Sequence, residues 1–269
     1  MARQPKTPKT AAQINDVGFP MPEDAMVPAK AVLPESAPSA SVKPAAAHHA
    51  SGHRERLRNR LIANGGDSLQ PYEALELVLC GFIPRRDVKP IAKALIARFG
   101  GVSAALAASP LELSKVDGVG EVTAAYLKAI HVLHTHAALE EVAARPVISS
   151  WAALLNYVRL KLQHETHEQA RAIFLDRKNK LISDDLLGTG TVDQAPVYPR
   201  EIARRALERA ASAVILVHNH PTGDPNPSRA DIDMTREVVA ALKPLDIALH
   251  DHLVVGRAGV FSFKAKGLI

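Results

Sequence analysis

AVILVHNHPTGDPNPSRADIDMT, residues 213–235, predicts a strand, a loop and a helix in immediate succession. Residues 213–217 form an apolar run of strand length, and a loop rich in glycine and proline follows it. Ser228 is a suitable first residue for a helix, because its side chain can accept hydrogen bonds from the backbone of the first turn. Since further strand and helix patterns alternate on both sides, we predict a layered α/β domain.

Two histidines and one aspartate are brought together by this segment. His218 and His220 are two residues apart in an extended chain, so both imidazoles project to the same side. Asp231 lies three residues after Ser228, one helical turn on and on the same face. Two imidazoles and a carboxylate suit Zn²⁺, and three protein ligands leave the fourth position open for water. We therefore predict one zinc ion per chain, bound by His218, His220 and Asp231.

The order of these residues is more specific than its parts. Alone, S-x-x-D is a simple helix cap, and histidines are common at strand ends. Together, H218-N-H220, seven residues and S228-x-x-D231 resemble the JAMM signature of MPN-type metalloproteases, and the fuller HNHPTGDPNPSRADIDMT resembles the bacterial RadC family. The resemblance covers residues 53–269 and includes AIFLDRKNKLI, VYPREIARRAL and DHLVVG. It implies a deaminase-like JAMM/MPN domain that hydrolyses peptide or isopeptide bonds.

The resemblance also implies two catalytic residues. The family pattern E-x7-D, which ends in an FLD strand, falls on Glu168 and Asp176, with Glu165 as a nearby competitor. Glu168 would take a proton from water and return it to the leaving amine, whereas the alternative is a solvated charge in a polar stretch. Ser228 would hydrogen-bond the tetrahedral oxyanion.

The remaining histidines are weaker candidates for metal ligands. His250 and His252 repeat the two-residue spacing, but no acidic helix partner is near, so a second metal site is the minor alternative. His252 instead suits a group that hydrogen-bonds a metal ligand. Six further histidines are expected at the surface: His48, His49, His53, His131, His134 and His136.

The chain is predicted to have three parts. Residues 1–50 are rich in proline and alanine and are expected to be a disordered tail. Residues 51–145 carry helical patterns separated by glycine and proline, with no strand pattern between them, and are predicted to be an all-helical domain. Residues 146–269 form the α/β JAMM/MPN domain.

One turn in the helical part resembles a helix-hairpin-helix motif. In L113-x-x-V116-D117-G118-V119-G120-x-x-x-A124, Gly118 and Gly120 permit a tight turn whose N–H groups can hold a phosphate. The resemblance implies non-specific contact with DNA, and the alternative is a turn that serves packing alone. The cations expected to support DNA contact are Arg54, Arg56, Arg58, Arg60 and Lys115.

Composition excludes several classes of protein. The net charge of +5 divides into +1, +2 and +2 over the three parts, so no part is strongly basic. The single cysteine, Cys80, excludes an intramolecular disulfide and the C-x-x-C pair of a zinc deaminase. No apolar run can span a bilayer and no secretory signal is present, so we expect a cytoplasmic protein with no membrane partner. The oligomeric state is left open.

Three functions follow from these patterns. The first is a zinc-dependent JAMM-type peptidase or isopeptidase acting on proteins or peptides, which the resemblance links to DNA repair or recombination. The second is a DNA-associated accessory protein whose domain no longer turns over substrate. The third is a metal-dependent nuclease. The consecutive letters HNH do not indicate an HNH nuclease, because in those enzymes the residues are dispersed over a longer element.

Overall fold

The computed structural model describes residues 49–190 and 197–269. The predicted tail, residues 1–50, lies outside the described residues except for its last two, which already belong to the first helix. The N-terminal part is entirely helical: α1 His49–Asn64, α2 Pro71–Phe82, α3 Lys89–Phe99, α4 Val102–Ala107, α5 Pro110–Leu113 and α6 Glu121–Ala144.

Glycine and proline set the ends of these helices. Gly100 ends α3 in the left-handed conformation, at φ 84°. Residues 102–113 form two short helices, α4 and α5, rather than one, because Pro110 disfavours the helical conformation at Ser109. The Ser109 hydroxyl then caps α5 by accepting from the Glu112 N–H. Buried side chains from α2 to α6 fill the core of this part, including Leu75, Leu79, Leu95, Leu113 and Leu127.

Two histidines of the helical part, His53 and His131, were predicted to lie at the surface, and this prediction is wrong. His131 is buried in α6, and burial lowers its pKa to about 4. His53 is half-buried, and its Nε2 lies 2.9 Å from the buried Glu76 carboxylate. His134 and His136 are exposed as predicted, whereas the side chains of His48 and His49 lie outside the described residues.

The C-terminal part alternates helices and strands, which confirms the α/β prediction. Its elements are α7 Trp151–Leu162, β1 Gln169–Leu175, β2 Leu181–Thr189, α8 Pro199–Glu208, β3 Ala213–Asn219, α9 Arg229–Leu242, β4 Ala248–Gly256 and β5 Gly259–Ser262. Short 3₁₀ turns precede α7, at Val147–Ser150, and follow α9, at Lys243–Leu245.

The five strands form one mixed sheet in the order β2-β1-β3-β4-β5. Strands β3 and β4 are parallel and are joined through α9, whereas the other neighbouring pairs are antiparallel. Helix α7 packs on one face, against residues such as Ile215 and Val217, and α8 and α9 pack on the other, against Val214 and Leu216. The central strand β3 is therefore buried from end to end.

The helical part and the sheet share a border at α6. Ala138 and Val142, near the end of α6, belong to the same buried cluster as α7 and one face of the sheet. Within the described ranges, no helix is both long and apolar enough to cross a lipid bilayer. The boundary at residues 145 and 146 and the cytoplasmic location stay predictions.

Candidate metal centre

The three predicted metal ligands converge at the C-terminal end of β3. His218 Nε2 lies 3.0 Å from His220 Nε2 and 3.4 Å from Asp231 Oδ1. His220 Nε2 lies 3.5 Å from Asp231 Oδ2. Because β3 delivers both imidazoles and the first turn of α9 delivers the carboxylate, residues 11 to 13 positions apart in sequence form one group that can hold a metal ion.

The start of α9 holds the Asp231 carboxylate in place. Asp231 Oδ2 accepts hydrogen bonds from the Ser228 N–H and from the Ser228 hydroxyl, each at 2.7 Å. The Asp231 N–H donates to Ser228 Oγ in return, so the two residues form a capping box. The helix cap and the metal group thus use the same carboxylate, and Oδ1 is left facing His218. The single hydroxyl proton of Ser228 points to Asp231, so donation to an oxyanion would require this hydroxyl to rotate.

The loop after β3 fixes the orientation of His220. His220 Nδ1 lies 2.9 Å from the Asp224 carbonyl oxygen, which can only accept, so Nδ1 donates and Nε2 faces the other ligands. The loop is tied to the turn between β4 and β5, because the Ala258 N–H donates to the Gly223 carbonyl and Arg257 donates to the Thr222 carbonyl.

His218 is held from behind by His252 of β4. His218 Nδ1 lies 2.8 Å from His252 Nε2, and His252 Nδ1 lies 2.7 Å from Thr235 Oγ1. Burial keeps the pKa of His252 well below its ordinary value, so this imidazole is neutral. The expectation that His252 hydrogen-bonds a ligand agrees with this geometry.

Charge and burial shift the pKa values of two ligands in opposite directions. Burial alone would raise the pKa of Asp231, but its interactions with the side chains of His218 and His220 outweigh burial and hold this pKa below its ordinary value. The hydrogen bond to Asp231 raises the pKa of His220 against the opposing effect of burial. The carboxylate is therefore charged at neutral pH, and a proton on His220 competes with a metal ion.

The structure separates the two candidate glutamates. Glu168 is buried at the start of β1 and lines the same cleft as the three ligands. The pKa of His220 is raised mainly by its hydrogen bond to Asp231, and the charge of Glu168 adds a smaller contribution. Glu165 instead accepts from the Gln169 side chain and lines a different cavity, between α6, α7 and β1. Only Glu168 shares the cleft of the metal ligands.

The comparison with known families agrees with this geometry. Residues 148–268 match the RadC-like JAB domain. The chain carries a RadC-like JAB domain. The match includes every residue of the metal group and Glu168, and it supports the interpretation as a JAMM-type hydrolase. The helical part, residues 49–144, lies outside the match.

Asn219 of the JAB domain has a role that the sequence did not suggest. It stands between the two histidines and therefore faces the other side of β3, where it is buried. Its Oδ1 accepts from the Gln169 N–H at 2.9 Å and its Nδ2 donates to the His167 carbonyl at 3.1 Å. Since these two bonds bracket Glu168, Asn219 ties the backbone of the glutamate to the strand that carries the ligands. The alternation of side chains along a strand was the available signal.

A cleft of about 730 Å³ opens over the metal group of the JAB domain. Its polar lining includes the three predicted ligands, Glu168 and Ser228. Its lining also includes the apolar side chains of Leu187, Val197, Leu216 and Met234, together with Arg171 and Arg229. A chain segment with an apolar side chain therefore fits next to the ligands.

No second metal group of this kind occurs within residues 49–190 and 197–269. His250 does not join His252 in a site, because its Nε2 lies 2.5 Å from Asn179 Oδ1. Asp251, between them, is buried and accepts hydrogen bonds from Ser262 and from the Lys264 backbone. The alternative of a second site at His250 and His252 is therefore not supported in this part of the chain.

The predicted DNA-contacting turn lies outside the JAB domain, between α5 and α6. Gly118 has a φ of 86°, and a Cβ there would lie 2.7 Å from Ile91. Gly120 precedes α6 in an extended conformation with open space around it. Lys115 is exposed and pairs with Glu112. The geometry is that of a helix, a tight turn and a helix.

Two of the predicted supporting cations serve the helical core instead. The Arg54 guanidinium donates to the carbonyl groups of Ile83, Pro84 and Arg86 and so holds the loop between α2 and α3. Arg60 pairs with Glu73 at the start of α2. Arg56 and Arg58 are exposed, as DNA contact requires.

Proposed function

We propose that this chain is a zinc-dependent JAMM-type hydrolase that cleaves amide bonds in peptides or isopeptide-linked proteins. The observation that carries the proposal is the convergence of His218, His220 and Asp231 on one wall of a cleft that also contains Glu168. Three protein ligands beside an open cleft are typical of catalytic zinc sites, whereas structural zinc sites use four.

The donor set fits zinc. The imidazole nitrogens of His218 and His220 and the Asp231 carboxylate lie within 4.8 Å of one another, and each can offer one ligand atom to a metal ion. Such a group can bind a cation, and imidazole nitrogen suits zinc better than it suits magnesium or calcium. When bound, zinc would supply Lewis acidity that lowers the pKa of water and polarises a substrate carbonyl.

The side chains of the JAB domain have separate roles in this proposal. Glu168 takes a proton from the attacking water and delivers it to the leaving amine, which a carboxylate beside the ligands can reach. Asn219 holds the backbone on both sides of Glu168. Ser228 would donate to the developing oxyanion after its hydroxyl turns away from Asp231.

The cleft favours a protein or peptide substrate over a small polar one. The apolar side chains in its lining, Leu187, Val197, Leu216 and Met234, can bury an apolar side chain of a bound peptide. Arg229 at its rim can contact a substrate carboxylate, although it also pairs with Asp233.

We also propose that the helical part contacts DNA. It is supported by the turn at Gly118 and Gly120, which opens into the N-terminus of the 24-residue helix α6. A link to DNA repair or recombination would follow from this contact together with the family resemblance.

The experiment that tests the proposal compares Glu168→Gln with Glu165→Gln. Zinc-loaded wild type and both variants are offered peptides, isopeptide-linked conjugates and DNA. Glu168→Gln should keep its zinc and lose roughly a hundredfold to ten-thousandfold in the rate of amide hydrolysis. Glu165→Gln should retain the wild-type rate, because its side chain lines another cavity.

Each alternative function has its own outcome in this experiment. Cleavage of DNA alone would favour the nuclease. A zinc-loaded wild type without any activity would favour the accessory protein. Equal activity of Glu168→Gln and wild type on every substrate would contradict the assigned role of Glu168.

A further inference from the structure

Two buried side chains behind the metal group, Thr235 and His252, are not metal ligands, yet both are only 1% exposed. They connect His218 to the backbone of Asp231 through a chain of hydrogen bonds. We propose that Thr235 and His252 form a relay that fixes the tautomer of His218, so that its Nε2 presents a lone pair to the metal ion. The relay rests on the metal site proposed above and adds two positioning residues to it.

The direction of the relay is set at its first bond. Thr235 Oγ1 lies 2.5 Å from the Asp231 carbonyl oxygen. A carbonyl oxygen only accepts, so the hydroxyl proton of Thr235 must lie in this contact. A threonine hydroxyl has one proton, and its bond to the carbonyl four residues earlier is a common arrangement in helices. Thr235 Oγ1 is therefore an acceptor toward its other neighbour, His252.

The remaining two bonds then have only one consistent direction. His252 Nδ1, at 2.7 Å from Thr235 Oγ1, must donate its proton to that oxygen. The neutral His252 ring carries one proton, so its Nε2 has a lone pair. His218 Nδ1, at 2.8 Å from this Nε2, must donate to it. The proton of a neutral His218 consequently lies on Nδ1, and Nε2 is bare.

The bare Nε2 is the atom that a metal ion needs. It faces Asp231 Oδ1 at 3.4 Å and His220 Nε2 at 3.0 Å. The relay thus starts at the backbone carbonyl of Asp231 and ends opposite the carboxylate of the same residue. A reversed relay would place a proton on His218 Nε2, where it would oppose the metal ion, and would leave the 2.5 Å contact of Thr235 without a proton.

The first readout of the experiment is the tautomer of His218 in metal-free protein. Nitrogen-15 NMR of the imidazoles at about pH 9, where a histidine is neutral, separates a protonated Nδ1 from a protonated Nε2. Wild type and Thr235→Ser, which keeps the hydroxyl, should both show His218 protonated on Nδ1. Thr235→Val, which keeps the shape and removes the hydroxyl, should show a substantial fraction protonated on Nε2.

The second readout is the affinity for zinc, measured by competition with a chelator. Loss of a hydrogen-bonding partner behind a ligand typically lowers metal affinity about tenfold to a hundredfold, so Thr235→Val should fall by that factor. Thr235→Ser should stay near wild type.

The outcomes separate the relay from the metal site itself. A wild-type spectrum with His218 protonated on Nε2 overturns the relay, whether or not the valine variant folds. Unchanged His218 signals and unchanged zinc affinity in a folded Thr235→Val also overturn it. A wild type that binds no zinc overturns the proposed function, whereas the tautomer of metal-free His218 still decides the direction of the relay.

Discussion

Gly256 lies at the end of β4 and is not a metal ligand, yet the substitution Gly256→Ala should weaken metal binding. A Cβ on Gly256 would lie 2.4 Å from the Gly223 carbonyl oxygen and 2.8 Å from Pro225 N. Both contacts are with backbone, and they lie on the two sides of Asp224, whose carbonyl orients His220. In Gly256→Ala, the loop after β3 must therefore move.

The size of this movement follows from the contact distances. Cβ atoms essentially never approach another heavy atom closer than 3.0 Å, so relief of the 2.4 Å contact needs a shift of about 0.6 Å. A shift of that size can stretch the 2.9 Å bond from His220 to Asp224 beyond the ordinary range of about 2.7–3.2 Å. Because His220 then loses the partner that fixes its ring, we expect zinc affinity to fall by roughly tenfold to a hundredfold.

The assay is chelator competition on Gly256→Ala, with Gly81→Ala as its control. Gly81 lies in α2 with nothing within 4 Å of a Cβ, so this variant should bind zinc like wild type. The free energy of unfolding of metal-free Gly256→Ala should also fall, by about 1–3 kcal/mol, as for other overpacked sites. If Gly256→Ala bound zinc as tightly as wild type, the argument that the loop after β3 fixes the orientation of His220 would be refuted.

Three further predictions address other parts of the chain. Asn219→Ala should keep zinc but lower the rate of amide hydrolysis by roughly tenfold to a hundredfold, because Glu168 loses its backbone anchor; zinc analysis and steady-state kinetics check this, and an unchanged rate would contradict it. The pKa of His131 is about 4 in the folded chain, against an ordinary value of 6.5 that applies to the unfolded chain. Between these values the folded chain binds fewer protons than the unfolded chain, so its stability should fall as the pH drops from 6.5 toward 4. Urea unfolding at several pH values should show a smaller fall in the free energy of unfolding for His131→Gln than for wild type. An equal dependence on pH in the two proteins would show that His131 does not contribute. A Cβ at Gly120 would have nothing within 4 Å, so Gly120→Glu should keep the fold and abolish low-salt DNA binding in fluorescence anisotropy. Undiminished binding would place DNA contact elsewhere.

The local signals of the sequence predicted most of the fold and the metal group. The apolar run before His218, the glycine- and proline-rich loop and the cap at Ser228 each act over a few residues, so their arrangement follows from strand and helix geometry. The buried histidine of α6 also had a signal, since Ala124, Leu127 and His131 recur at helical spacing along its buried side.

Contacts between distant segments could not be predicted in the same way. Asn219 bonds residues 50 and 52 positions away, and His252 meets Thr235 across 17 positions. These pairings depend on the strand order of the sheet, which places β1 and β4 on either side of β3. The strand order is set by the packing of the complete domain, and no short stretch of the sequence indicates it.

The zinc content of purified protein tests the central claim most directly. Elemental analysis of wild type, Asp231→Asn and Asp233→Asn provides a matched set, because Asp233 lies on the same helix and pairs with Arg229 and Arg236 at the surface. The account predicts about one zinc per chain in wild type and Asp233→Asn, and a large loss in Asp231→Asn, since a neutral amide is a poor replacement for a carboxylate ligand. Equal zinc content in Asp231→Asn and wild type would contradict it.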